Sequence, residues 1–367
     1  MILKKLLNLN FLLIFLLILL SVIGSAGLYS AADGSFSPWS GRHLTRLTFF
    51  LFLAIIISVI DIKLIYKYAY LIFILSLLLL LSVEIIGVLG KGASRWIRIF
   101  GLSLQPSEII KITIVLALAR FYNDLRFDKI GNPIYLFIPF LIIFLPFLLV
   151  IIQPDLGTAL SIFILGIMVL FVAGIKIWKF ILGFFVFIST IPFLWNYIKP
   201  YQKNRILSFL NPENDPLGQG YQLMQSKIAL GSGGSTGKGF LKGTQSYLEY
   251  LPEKQTDFIF TLIGEEFGFI GTIFIIILFF IIISICYYVS IKSFHIFGRI
   301  FSLGIATNLF IYVIMNISMV SGLIPVVGIP LPLISYGGTA MLAIMISMGI
   351  ILNIDLNYNL KKLSNNA

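Results

Sequence analysis

Thr256-Asp257-Phe258-Ile259-Phe260-Thr261-Leu262-Ile263-Gly264-Glu265-Glu266-Phe267-Gly268 opens the stretch that decides the fold. From Phe269 to Ile291 no residue carries a charge. With the apolar residues before it, this run exceeds the roughly 20 residues a helix needs to cross a bilayer. Its carboxylates, Asp257, Glu265 and Glu266, all gather at the N-terminal end. The stretch therefore reads as a membrane-spanning helix entered from a polar segment, with acidic groups at the entry.

The rest of the chain is of the same kind. Of 367 residues, 59% are hydrophobic and 11% charged, and the mean hydropathy is +1.03. A soluble domain carries about 25% charged residues, so this surface does not mostly face water. Apolar runs fall at about 11–29, 47–61, 68–90, 107–122, 134–152, 157–175, 178–198, 258–290, 300–322 and 336–354. The expectation is an all-α polytopic membrane protein of about ten spans, both termini on one side, in a single domain over 1–367. Lys4 and Lys5 before the first run suit a signal peptide. The length of the run and the lack of a small-x-small cleavage site favour a first span instead.

Several chemistries are excluded at once. Cys286 stands alone in an apolar run, so no internal disulfide or zinc cluster forms, and it reads as a small buried hydrophobe. His43 and His295 fall on opposite sides of the expected topology, so no Ser-His-Asp set assembles. The formal charge of +11 points to membrane flanks and not to nucleic acid, for which no motif is present. With the N-terminus inside, the inner segments hold Lys4, Lys5, Lys63, Lys67, Arg120, Arg126, Lys129, Lys176, Lys179, Lys292, Arg299, Lys361 and Lys362. The short outer segments hold only Arg42, Arg46, Lys91, Arg95 and Arg98. Positive residues concentrate on the cytoplasmic side, so both termini are expected there and the long segment 198–257 outside.

That segment, between spans seven and eight, is the polar exception, rich in proline and glycine. Gly220–Leu230 within it suits a short interfacial helix. Lys199, Lys203, Arg205, Lys227, Lys238, Lys242 and Lys254 suit a phosphate or pyrophosphate at the lipid surface, or simply lipid headgroups. Gly231-Ser232-Gly233-Gly234-Ser235-Thr236-Gly237-Lys238-Gly239 resembles a nucleotide loop but lacks its first glycine and its terminal Ser or Thr.

Ionisable residues inside spans cost energy and commonly mark function. Glu84 lies near the outer end of the third span. Glu108 and Lys111 sit three residues apart on one helix face, as a structural ion pair or as chemistry. Asp155 in Gln153-Pro154-Asp155-Leu156-Gly157 suits the N-cap of the sixth span. Asp257 on position alone is another N-cap, and a partly desolvated carboxylate there is also a candidate general base. Glu265 or Glu266 must find a partner inside the bundle.

The ordered set of motifs resembles the SEDS family (shape, elongation, division and sporulation) over nearly the whole chain. It runs through Gly92-Ala93-Ser94-Arg95-Trp96-Ile97, Gln105-Pro106-Ser107-Glu108 and Gln153-Pro154-Asp155-Leu156-Gly157-Thr158. It continues with Arg205-Ile206-Leu207-Ser208-Phe209-Leu210-Asn211-Pro212, Thr256-Asp257-Phe258-Ile259-Phe260 and Pro332-Leu333-Ile334-Ser335-Tyr336-Gly337-Gly338-Thr339. Gly243-Thr244-Gln245-Ser246 and the short N-terminal tail are more similar to the RodA branch than to the FtsW branch.

The resemblance implies a peptidoglycan glycosyltransferase of the bacterial cytoplasmic membrane. It would polymerise lipid II on the outer face beside a class B penicillin-binding protein. It maps the family's essential aspartate onto Asp257, as general base in an inverting displacement. Arg205, Lys227, Lys238 and Ser335 are then expected at the substrate, and Glu108, Lys111, Asp155 and Glu265 as supports. A divalent cation, Mg or Mn, is a further expectation. The rival readings are a lipid II flippase, with Glu84, Glu108 and Lys111 lining a pathway, and a non-catalytic scaffold.

Overall fold

The computed structural model describes residues 2–90, 93–99, 102–194, 203, 207–209, 218–248 and 250–365. After the short α1 (Ile2–Leu7) come α2 (Phe11–Ala31), α3 (Ser40–Val59), α4 (Ile62–Ile86), α5 (Pro106–Asp124), α6 (Pro133–Ile152), α7 (Leu156–Val172) and α8 (Ile177–Leu194). Then follow α9 (Gln219–Ser232), α10 (Thr244–Tyr247), α11 (Ile259–Lys292), α12 (Ile296–Val320) and α13 (Gly338–Asn365). Each of the ten apolar runs falls on one helix among α2–α8 and α11–α13. By length and composition, α2, α3, α4, α6, α11, α12 and α13 suffice to cross a membrane, and α7 and α8 are shorter apolar helices. The chain is a multi-pass membrane protein.

Lipid as solvent explains how the helices sort. Phe49, Phe52, Leu71, Leu75, Phe137, Phe184, Phe274 and Phe280 are exposed on the outside of the bundle, which is stable only against hydrocarbon. At the centre stands α5, buried on nearly every side and packed by α4, α6, α7, α12 and α13. Such all-round burial is the property of a core helix. It is why a helix carrying Glu108 and Lys111 contributes them to the interior and not to lipid.

Bonds between distant segments sort into two ends. At one, Asp33 lies 3.8 Å from Lys254, Arg95 lies 3.8 Å from Asp155, and Gln105 N donates to Thr339 Oγ1 at 3.0 Å. At the other, Lys5 Nζ donates to Val59 O at 3.0 Å and Asn10 Nδ2 to Asp355 at 3.3 Å.

Two features depart from the all-α expectation. The fourth helix ends at Ile86, short of the apolar run's end at 90, and an antiparallel three-stranded sheet follows: β1 (Val88–Gly90), β2 (Ala93–Ile99) and β3 (Leu102–Leu104). Val88 pairs with Trp96, and Ile97 with Leu104. Glycines at 87 and 90 punctuate a stretch too short for a helix, and hydrophobicity alone does not separate the two. The long polar segment is also no simple solvated loop. Its α9, two residues longer at its C-terminus than Gly220–Leu230, packs on α11 and α12. Ser226, fully buried there, donates to Val320 O at 2.7 Å and lies 2.7 Å from Thr261 Oγ1.

The glycine-rich run has a structural task. The helix α11 breaks at Gly268, whose φ of 66° and ψ of −162° are not helical. Phe269 N and Ile270 N then cannot reach back up their own helix. They donate instead to Gly234 O and Ser235 O, at 2.9 and 3.1 Å. In return Lys238 N and Gly239 N donate to the abandoned carbonyls of Glu265 and Glu266, at 3.0 and 2.9 Å. The loop replaces the missing rungs, as buried backbone groups demand. Only glycine allows this approach: a Cβ at Gly237 would sit 2.1 Å from Glu266 O, and one at Gly268 would sit 2.4 Å from Gly237 N. Gly237→Ala is therefore expected to cost at least the upper end of the about 1–3 kcal/mol typical of overpacking. A thermal unfolding midpoint in detergent equal to that of the unmodified protein would contradict this.

Candidate active site

Asp257 lies in the turn 252–258 that leads into α11. The first residue of the helix follows Phe258, which takes the capping position with no side-chain cap bond of its own. The turn is held from outside. Ser335 Oγ donates to Thr256 O at 2.6 Å, and Tyr336 N donates to Gln255 O at 2.9 Å. Asn316, from α12, donates through Nδ2 to the backbone oxygen of Asp257 at 3.0 Å. The carboxylate is half-buried and faces Gly328, where an added Cβ would meet Oδ2 at 3.4 Å. Gly328 has φ of +73°, a conformation that strains any residue with a side chain and favours glycine beside the acid.

The connection 321–337 between α12 and α13 forms the other wall. His43 Nε2 lies 3.1 Å from Leu333 O, and Gly24 of α2 leaves no room for a Cβ, which would come within 2.8 Å of Leu333 O and Ile334. Arg46 stacks over Tyr336 at 4.8 Å. The same connection reaches the Asp155 cluster, since a Cβ at Gly157 would be 2.5 Å from Val327 O. Asp155 caps α7 as expected: Oδ1 accepts from Thr158 N at 3.4 Å and Oδ2 from Thr158 Oγ1 at 2.9 Å. Arg95 and Gln105 also approach Oδ2, at 3.8 and 3.4 Å.

Deeper in the bundle, Lys111 Nζ meets Glu108 Oε1 at 2.8 Å, and the residues are 1% and 4% exposed. Tyr312 of α12 hydrogen-bonds to both. On α11, Glu265 Oε1 accepts from Lys238 Nζ at 2.7 Å, Thr244 Oγ1 at 3.0 Å and Gln245 N at 3.1 Å. Glu266 is bonded by Ser30 Oγ. Both buried glutamates thus find partners, one in the polar segment and one in α2.

A family model described as "Cell cycle protein", covering FtsW, RodA and SpoVE, matches residues 4–360. The chain belongs to this family, the SEDS proteins. It is 40% identical over 343 residues to the peptidoglycan glycosyltransferase MrdB of Escherichia coli K12, covering 92% of each chain. It is 38% identical to a probable peptidoglycan glycosyltransferase FtsW of Wigglesworthia glossinidia brevipalpis, covering 98% and 97%. A solved structure described as coordinating polymerization and crosslinking in a peptidoglycan synthase complex matches at a TM-score of 0.82 and 30% identity, covering 95% and 98%. An aspartate-to-alanine mutant of Thermus thermophilus RodA matches at 0.72 and 25%, covering 95% and 97%. The chain is thus a membrane glycosyltransferase of the SEDS family.

Against that family, the expected site residues divide. Asp257 is half-buried beside Gly328, and Glu108, Lys111, Asp155 and Glu265 are buried and held by hydrogen bonds or ion pairs. Ser335, expected at the substrate, is 4% exposed, and its hydroxyl is taken by two backbone partners, Thr256 O and Leu331 N. Lys238, expected likewise, is tied to buried Glu265. Lys227 is exposed and lies across Gly322 at the start of the connection. Arg205 lies outside the described residues. Glu84 is exposed on α4, apart from the sealed Glu108–Lys111 pair. Asn316 and Tyr312 were missed because only ionisable residues in spans were weighed. A search for amides and phenols in the run 300–322 finds them.

Among the described residues no three His, Cys, Asp or Glu side chains come together. A cavity of about 620 Å³ lies at the far end of α11, lined by Asp61, Tyr66, Asn123, His295, Asn357 and Tyr358 among others, away from Asp257.

Proposed function

We propose that this chain polymerises lipid II into β-1,4 glycan strands for cell elongation, with Asp257 as the general base. The observation that carries the proposal is a half-buried carboxylate held beside Gly328, in a turn tied to the bundle by Asn316 and Ser335 where the polar segment meets it. The donor sugar is α-linked to undecaprenyl pyrophosphate and the product is β-linked, so one inversion suffices. Asp257 takes the proton from the 4-hydroxyl of the acceptor GlcNAc as that oxygen bonds to the anomeric carbon. The bond from that carbon to pyrophosphate breaks, and undecaprenyl pyrophosphate leaves with the electron pair. The leaving group needs neutralised charge and not a proton, which suits Arg205 and Lys227 in the basic segment. No step is routed through a metal.

The likeness to MrdB over 92% of each chain and to solved RodA structures supports the elongation reading over a division role. A class B penicillin-binding protein is the proposed cross-linking partner, supported by the likeness to a synthase complex. The positive-inside pattern supports cytoplasmic termini and an outer active site in the bacterial cytoplasmic membrane. Purified protein with its partner is expected to make glycan from lipid II. Movement of lipid II between leaflets with no glycan formed would overturn the proposal in favour of a flippase.

A further inference from the structure

We infer that Asn316 is a positioning residue that sets where the Asp257 carboxylate stands, an inference that rests on Asp257 being the base. Asn316 lies within α12 and is fully buried. An amide in such surroundings is costly unless its hydrogens are used. Both are: Nδ2 donates to Asp257 O at 3.0 Å and to Ile329 O at 2.8 Å. Carbonyls only accept, so the amide orientation is not a free choice, and the opposite way round would set oxygen against two oxygens. The side-chain oxygen, Oδ1, is buried on the other side with no hydrogen-bond partner, so the residue is held here by its donors alone.

The two carbonyls come from segments more than 70 residues apart in sequence, and they are the two walls of the site. One belongs to Asp257 itself. The other follows Gly328, the residue that faces the carboxylate. A single side chain therefore ties Asp257 itself to the segment it faces, beside the bonds from Ser335 and Tyr336 to the two residues before it. Asp257 precedes α11, in the turn that leads into it. The anchor is itself anchored. Tyr312, one turn earlier on α12, is bound to the buried Glu108–Lys111 pair. Met319, three residues on, accepts from Gly328 N at 3.4 Å through sulfur. One face of α12 thus runs from the ion pair through Asn316 to both walls.

The test uses the full-length protein with its partner and purified lipid II. Asn316→Ala is expected to lower kcat about tenfold or more, as misplacement of a catalytic group by about 1 Å can cost 10²-fold. The KM should change less than threefold, and the acidic limb of the kcat–pH profile should move, because the surroundings of the base have changed. Asn316→Gln keeps the donors and should recover part of the rate. A merely structural role would lower the folded fraction and leave the pH profile of the remaining enzyme alone. If Asn316→Ala fails to accumulate, Asn316→Ser, which keeps one donor, is read in the same way. An unmoved pH profile with kcat in proportion to folded protein overturns the inference. Asp257→Asn separates the two claims: if it still polymerises, the general-base reading itself fails. If it is inactive while the Asn316 variants keep rate and profile, only the positioning role fails.

Discussion

Asp257→Asn lowers glycan synthesis from lipid II by about 10²–10⁴-fold, the usual contribution of general base catalysis, and leaves the fold in place. The size of the loss follows from chemistry: an amide of nearly the same shape takes no proton from the acceptor hydroxyl. The intact fold follows from geometry. The bond from Asn316 is to the backbone oxygen, which the substitution retains. The neighbouring anchors, Ser335 to Thr256 and Tyr336 to Gln255, are untouched. Polymer formation is measured beside the thermal unfolding midpoint. A variant that polymerises as fast as the unmodified protein would refute the role of Asp257.

Glu108→Gln has the second large effect, and it falls on stability first. The pair it breaks is almost wholly enclosed, with Lys111 at 1% exposure. Removing one member of a buried pair leaves the other charge uncompensated, which costs about 3–5 kcal/mol. Tyr312 remains as a neutral partner and offsets part of this. The expected outcome is a lower yield of folded protein and a lower unfolding midpoint, with activity falling in step. The double variant Glu108→Leu with Lys111→Met removes both charges and should recover much of the midpoint, since apolar replacements of buried pairs are often neutral or better. Normal yield and midpoint with lost activity would instead place Glu108 in the chemistry.

Much of the architecture was legible in the chain. Ten apolar runs became ten helices, Gly220–Leu230 became α9, Asp155 became a cap, and Glu108 and Lys111 became a pair. These are local matters. In hydrocarbon every backbone polar group must be satisfied within its own segment, so an apolar run of span length has little choice but to be a helix. A cap or an i,i+3 pair likewise involves residues a turn apart.

What tertiary structure alone decided is which distant segments meet. Asn316 and Asp257 are 59 residues apart, Thr339 and Gln105 are 234 apart, and Ser30 and Glu266 are 236 apart. Those meetings gave Ser335 and Lys238 protein partners and turned a glycine-rich run into the splice across a broken helix. The physical reason is that a helix in lipid is specified by desolvation along its own length. A site is specified by the few polar groups that packing leaves facing one another, and packing is a property of the whole bundle.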